Sequence, residues 1–316
     1  MEGILNYKAD IGTNATAPGA INLCRDLSLL NRKNHEHTTR KGVPLVYHTK
    51  VTTYRPNSTD TDEVQILKFQ AVPSNWVYRN AAVKLHYARE AMMKKNGITK
   101  KERGRYDHTI RYAWENTDSS EGASSGWLTP IDKDDNAFSS AELGTWDTTE
   151  LILNDGTEIR PSLWSGIADQ LEDTANAAGN HSLALMYLQS RHLIREDDQD
   201  ATNLEGDGAE QEFPGEFSII RDLFNPGVAT MDEVRESVSE SQDNPPYDAD
   251  DISVTATFVE PIEKARTMTG LQSMVKDVCY VDVPFGIVDV VGLIKNGVAR
   301  TMYFQVEVLG VSEMQG

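Results

Sequence analysis

The chain has 316 residues, 39% of them hydrophobic, and 49 Asp plus Glu against 30 Lys plus Arg give it a formal charge of −19. That length holds one large domain or two ordinary ones, and 5 Trp, 11 Tyr and 8 Phe supply enough apolar side chain to exclude global disorder. No stretch reaches the roughly 18 consecutive apolar residues of a membrane-spanning helix, no secretion signal is expected at the N-terminus, and two cysteines, Cys24 and Cys279, are too few for a disulfide framework or a thiolate zinc site.

In chain order, the first strand signal is the period-two alternation of Leu45, Tyr47, Thr49, Val51 and Thr53, and Val64 to Val72 follows as a second strand. Val77, Ala81, Leu85, Ala88 and Met92 then recur at helical spacing up to Asn96 and Gly97, a stripe that predicts a helix with Arg79, Lys84 and Lys94 on its exposed side. His108 to Trp114, Thr148 to Leu153 and Phe217 to Leu223 are weaker strand patterns. A second helical region starts near Pro161 and Ser162, with Trp164, Ile167, Ala168 and Leu171 inward. A third follows Asn180, with Leu183, Met186, Tyr187 and Leu193. Near the C-terminus, strands are expected over Ile252 to Phe258, Val278 to Val283, Phe285 to Ile294 and Met302 to Val308; the third of these is apolar on both faces and so central in its sheet. Strands at both ends of the chain with helices between them suit an antiparallel barrel or sandwich whose first and last strands pair.

Charge divides along the chain. Residues 1 to 112 hold 19 Lys plus Arg against 10 Asp plus Glu, a net of +9, and the remainder holds 11 against 39, a net of −28. The basic run from Arg79 to Arg111 also carries Tyr78, His86, Tyr87, Tyr106 and Tyr112, so it joins charge for phosphates to rings able to stack on bases. From Glu196 to Asp250, 17 acids face only Arg221 and Arg235.

The motifs of enzyme chemistry are weak. Gly122 to Gly126 matches G-x-S-x-G, but its polar flanks lack the strand before and the helix after that a nucleophile elbow needs. Asp132, Asp134 and Asn136 copy the start of a calcium loop that has Ala137 and Leu143 where glycine and glutamate belong. The acids Asp197, Asp198 and Asp200 are dense enough only for weak surface calcium binding. His35, Glu36 and His37 could offer two imidazoles to a metal, yet they have no third ligand and lie among Arg32, Lys33, Arg40 and Lys41, so an exposed polar loop is expected. No metal, no cofactor, no catalytic residue and no enzymatic activity are expected.

Three segments carry a resemblance: Asp26 to Arg32 (DLSLLNR), Ser74 to Ala81 (SNWVYRNA) and Asn244 to Asp248 (NPPYD). Together they resemble capsid proteins of small tailless DNA viruses known largely from environmental sequences. The resemblance implies a mainly β fold, an antiparallel jelly-roll barrel or sandwich with helical insertions, the alternative being a double jelly roll. Residues 1–316 would form a single domain with helical insertions at about 75–105 and 161–195 and an acidic loop region at about 196–250. Met1 to Gly19 holds only Lys8 as a basic residue, so no arginine-rich arm is expected to condense a genome.

The expected role is therefore a structural capsid protein that self-assembles into an icosahedral shell, with other copies of itself, the viral genome (through non-specific electrostatic contact) and other virion proteins as partners. Its location would be the virion, and the host cytoplasm during assembly. Arg79, Lys84, Lys94, Lys95, Lys100, Lys101, Arg103 and Arg105 are the residues expected to line the interior or a subunit junction, with the acidic loops outward. The alternatives are a carbohydrate-binding or hydrolytic β-sandwich using Trp114, Trp127 and Trp146, and a phage tail or spike protein.

Overall fold

A computed structural model of the chain describes residues 3–13, 16–55, 64–99, 101–114, 126–132, 134–137, 146–153, 158–163, 179–191, 220, 223, 275–295 and 297–315. The described elements are β1 (Ile4–Ile11), β2 (Thr16–Asn22), α1 (Leu23–Asn31), β3 (Leu45–Arg55), β4 (Val64–Gln70), α2 (Trp76–Lys95), β5 (Leu151–Ile152), β6 (Glu158–Ser162), β7 (Gly179–Ser182), α3 (Leu183–Gln189), β8 (Val275–Pro284), β9 (Ile287–Lys295) and β10 (Arg300–Glu313).

The protein is mainly β. Four strands in the order β1-β10-β3-β8 form one antiparallel sheet, and β2-β9-β4 form a second. Alternation explains how they face each other. Leu5, Tyr7, Ala9 and Ile11 of β1, Tyr47 and Val51 of β3, and Met302, Phe304, Val306 and Val308 of β10 point inward from the first sheet, and Val288, Val290 and Ile294 of β9 point inward from the second. Tyr7 and Phe304 stack with ring centroids 5.4 Å apart, and Phe69 of β4 meets Phe304 edge-on at 5.5 Å. Where β9 crosses β1, a Cβ on Gly292 would lie 2.1 Å from Ile11 Cδ1, so only glycine fits.

Helix α1 extends this core with Leu23, Cys24 and Leu27. Asn22 caps it by accepting from the Arg25 amide at 3.1 Å. Asp26 on the same helix is fully buried; it accepts from Tyr7 Oη at 2.6 Å and from Arg25 Nε at 2.8 Å, and Arg25 Nη2 reaches the Leu128 carbonyl at 2.7 Å. Sequence-distant pieces are thus stitched together by satisfied polar groups.

A second apolar cluster lies around α2. Ala81, Ala82, Leu85, Ala88, Met92 and Met93 pack with Ile110, Tyr112, Leu163, Met186, Phe285 and Met314. The helix begins where Asn75 accepts from the Tyr78 amide at 3.1 Å, and it ends with Lys94 and Lys95 at the negative end of the dipole. The expected stripe is the buried face.

Several expectations differ from the structure. Ile220 and Leu223, within the weak strand pattern Phe217 to Leu223, are helical and buried. His108 to Trp114 contributes only a bridge from Ala113 to Ser162, because the Ala113 N–H bonds Pro161 O at 3.0 Å in an otherwise irregular stretch. Pro161 and Ser162 close β6 instead of opening a helix. The rest of that predicted helix, the Ile252 to Phe258 strand and nearly all of the acidic tract lie outside the described residues. Thr148 to Leu153 forms only the two-residue β5, paired with β6, and β6 in turn pairs in parallel with β7.

Candidate nucleic-acid and subunit interface

The basic run of the sequence separates into internal and external cations once it folds. Arg89 is buried and makes a two-pronged bond with Asp107, Nη2 lying 2.5 and 2.7 Å from the carboxylate oxygens. Next to it along the helix, Glu90 is clasped by Arg103 through Nη1 at 2.5 Å and Nη2 at 2.9 Å. The guanidinium holds the Glu90 carboxyl below its ordinary range. These two pairs fix the segment after α2 against the helix. Arg79 Nε donates to Met314 O at 3.1 Å and ties α2 to the end of β10, while Lys84 Nζ donates to Ser190 Oγ at 2.7 Å and lies over the Tyr187 ring.

Of the eight predicted cations, Arg79, Lys84 and Arg103 therefore make internal contacts. Lys94, Lys95, Lys101 and Arg105 are exposed, and Lys100 lies outside the described residues. Tyr87 is exposed and stands seven residues before Lys94, two turns along the same side of α2. Trp76, which the sequence pattern did not single out, is 48% exposed at the start of the same helix. Its position next to the capping Asn75 is the signal that could have found it. Three other aromatics of the run are drawn into the fold: Tyr112 and His86 are buried, and Tyr78 Oη donates to Leu163 O at 3.1 Å.

Arg111, at the end of the run, faces inward. It is 3% exposed, its Cζ sits 4.3 Å from the centre of the Trp146 ring, and neither Nη has a hydrogen-bond partner among the described residues. Burial pushes its pKa down to about 10. His37, expected in an exposed loop, is wholly buried beside it, edge-on to Trp146 at 5.6 Å and to Tyr112 at 6.1 Å. The local sequence around His37 is polar, and what buries it is the turn between β8 and β9, far away in sequence. The tryptophans suggested as sugar platforms are also engaged. Trp114 is buried, and Trp127 and Trp146 each have an arginine, Arg25 and Arg111 respectively, over the ring.

Of the remaining sequence motifs, the described residues lie in turns. Asp132 Oδ1 accepts from the amides of Asp134 and Asn136, both at 2.9 Å, which makes it a turn-forming side chain. Gly126 accepts from the Ala20 amide at 2.7 Å, and the rest of Gly122 to Gly126 lies outside the described residues. Among the described residues no group of three metal-capable side chains occurs.

No protein-family model matches this chain, and no curated protein and no solved structure matches it either.

Proposed function

We propose that this chain is a jelly-roll capsid subunit that assembles with copies of itself into a shell around a viral genome. The observation that carries the reading is strand order. A jelly roll of eight strands, counted along the chain, has facing sheets ordered 1-8-3-6 and 2-7-4-5. Taking β8, β9 and β10 as its sixth, seventh and eighth strands, the two sheets here read 1-8-3-6 and 2-7-4. Among the described residues the place beside β4 is open, and the sequence candidate for it, Ile252 to Phe258, precedes β8 in the chain. Helices α2 and α3 and the small β5-β6-β7 sheet then belong to the long insertion between the fourth and sixth strands, where a single barrel carries its elaborations.

In this reading Lys94, Lys95, Lys101 and Arg105, with Tyr87 beside them, give a cationic surface for non-specific contact with nucleic acid or for a subunit junction, and Trp76 supplies apolar contact area. The acidic composition of 196–250 supplies like-charge repulsion that keeps shells apart. The protein resides in the virion, after assembly in the host cytoplasm, with other virion proteins as further partners. Self-assembly itself calls for no catalytic residue.

The test is electron microscopy of the concentrated full-length protein across a grid of salt and pH. Closed shells or ring-like capsomers are expected under at least one condition. Monomers under every condition, with no ordered assembly, would remove the reading.

A further inference from the structure

The outer face of the four-stranded sheet brings together three side chains from three strands. His48 of β3 is in register with Asp282 of β8 on one side and Gly310 of β10 on the other. Position 310 offers no side chain, so the next β10 residue on that face is Ser312. His48 Nδ1 lies 2.7 Å from Asp282 Oδ1, and His48 Nε2 lies 2.9 Å from Ser312 Oγ. With the imidazole proton on Nδ1, that nitrogen donates to the carboxylate, and the serine hydroxyl donates to the bare Nε2. The adjacent outward row differs in kind: Lys50 and Glu307 form an ion pair at 3.0 Å.

The His48 row has the connectivity of an activated serine, in which the hydroxyl is bonded to a base and the base is oriented by an acid. The side chains of His48 and Asp282 are 43% and 69% exposed and Ser312 is exposed, so a substrate reaches Oγ without any opening of the fold. Backbone donors lie close by. Pairing of β1 with β10 ends at Ile4 and Glu307, where the Val308 amide bonds Gly3 O at 3.0 Å. Beyond it the Met314 amide bonds Pro44 O at 2.8 Å, so by ladder alternation the Ser312 amide also turns toward β3. The amides of Val311 and Glu313 then point to the opposite edge, where no strand pairs among the described residues. Glu313 follows the serine, the position from which a backbone N–H stabilises the oxyanion of acyl transfer. Exposed Tyr280, paired with Lys50 in the adjacent outward row, provides apolar surface next to the group.

From this geometry we infer that Ser312, His48 and Asp282 form an acyl-transfer site that hydrolyses small, unhindered carboxylic esters. Ser312 Oγ bonds to the ester carbonyl carbon as its proton passes to His48 Nε2. The carbon–oxygen bond to the alcohol breaks, and the alcohol leaves with that proton. Water, deprotonated by the same Nε2, then attacks the acyl-serine, releases the carboxylic acid and returns the proton to Ser312. Asp282 is a positioning residue that holds the imidazole in the required tautomer. Among the described residues no walls enclose the site, which suits esters with short acyl chains. Shell formation needs none of these groups, so the two readings stand or fall separately.

The experiment treats the full-length protein with an alkyl fluorophosphonate, which phosphonylates an activated serine with loss of fluoride, and locates the adduct by mass spectrometry. Ser312 is expected to be modified ahead of every other serine, and Ser312→Ala to lose that adduct. His48→Gln should slow labelling about 100-fold, the scale of lost general-base assistance. Asp282→Asn should slow it about tenfold or more, with Asp282→Glu recovering part of the rate at unchanged thermal midpoint, a rescue that a purely structural role would not give. Hydrolysis of p-nitrophenyl acetate should follow the same ranking. Labelling of Ser312 no faster than other exposed serines, or labelling indifferent to His48→Gln in a folded variant, would overturn the site.

Discussion

His37 and Phe285 stand 248 positions apart in the sequence, and the imidazole Nδ1 of the first meets the carbonyl oxygen of the second at 2.5 Å. Phe285 and Gly286 both have positive φ, 58° and 68°, so the β8–β9 turn aims this carbonyl inward at the buried ring. A wholly buried imidazole has no water to solvate a positive charge, and burial pushes the His37 pKa down to about 4, with Arg111 adding repulsion and the Phe285 carbonyl opposing both.

The pH dependence follows from that shift. His37 is neutral in the folded protein down to about pH 4, while the unfolded chain takes up a proton near 6.5. The unfolded state therefore binds more protons between those values. Stability from this residue is fully present above about pH 6.5 and is lost as pH falls toward 4, by up to about 3 kcal/mol. Urea unfolding between pH 7.5 and 4 measures it. His37→Gln should be less stable at pH 7.5 and should show a flatter pH slope than the wild type over this window; an unchanged slope would contradict the assignment.

The Arg89–Asp107 pair gives a second prediction. Both side chains are buried, so removing one leaves a charge without its partner and costs about 3–5 kcal/mol. Asp107→Ala should lower stability by that amount and should also increase protease cleavage in 97–110, the segment the pair fixes to α2. Arg89→Met combined with Asp107→Leu should be less destabilising than the sum of the two single changes, because it removes the buried charges together. Strict additivity in denaturant unfolding would contradict the coupling.

Gly292 and Ile11 make the third. A methyl on Gly292 collides with the Ile11 side chain, so Gly292→Ala should cost about 1–3 kcal/mol through overpacking. Ile11→Ala alone leaves a cavity and costs about 2–5 kcal/mol. In the double variant the new methyl moves into vacated space, and its measured destabilisation should fall short of the sum of the two single values by at least about 1 kcal/mol.

How much of this was legible in the sequence depended on how local each signal is. β3, β8, β9, β10 and α2 have side chains that alternate or recur along their own length, and the central place of β9 followed from its apolar residues on both faces. β1 has the same alternation, Leu5, Tyr7, Ala9 and Ile11, interrupted by Asn6, Lys8 and Asp10, and could have been read in the same way. β2 could not. Thr16–Asn22 contains Pro18 and Gly19, residues that ordinarily mark turns, and it extends because it pairs with β9 across a register shift and because the Gly126 backbone bonds Ala20. The candidate interface was legible as composition only. Nothing local shows that Asp107 and Glu90 withdraw Arg89 and Arg103 from the surface, or that Arg111 turns inward onto Trp146.

The exposed cations supply the last prediction. Lys94, Lys95, Lys101 and Arg105 are exposed at the end of α2 and in the segment after it, and the three lysines are the ones to reverse. If they meet nucleic acid, each phosphate they neutralise releases condensed counterions, and the logarithm of affinity falls with the logarithm of salt concentration in proportion to the number of phosphates engaged. Fluorescence anisotropy with a labelled oligonucleotide, run from about 50 to about 200 mM salt, reads that slope. The variant carrying Lys94→Glu, Lys95→Glu and Lys101→Glu should bind about uniformly more weakly across sequences, and its salt slope should be smaller by about one for each phosphate it no longer neutralises. The Arg89→Met, Asp107→Leu double variant should leave the slope unchanged, because that guanidinium already faces Asp107. A slope that the triple variant does not alter would place any nucleic-acid contact elsewhere and leave α2 as a packing element.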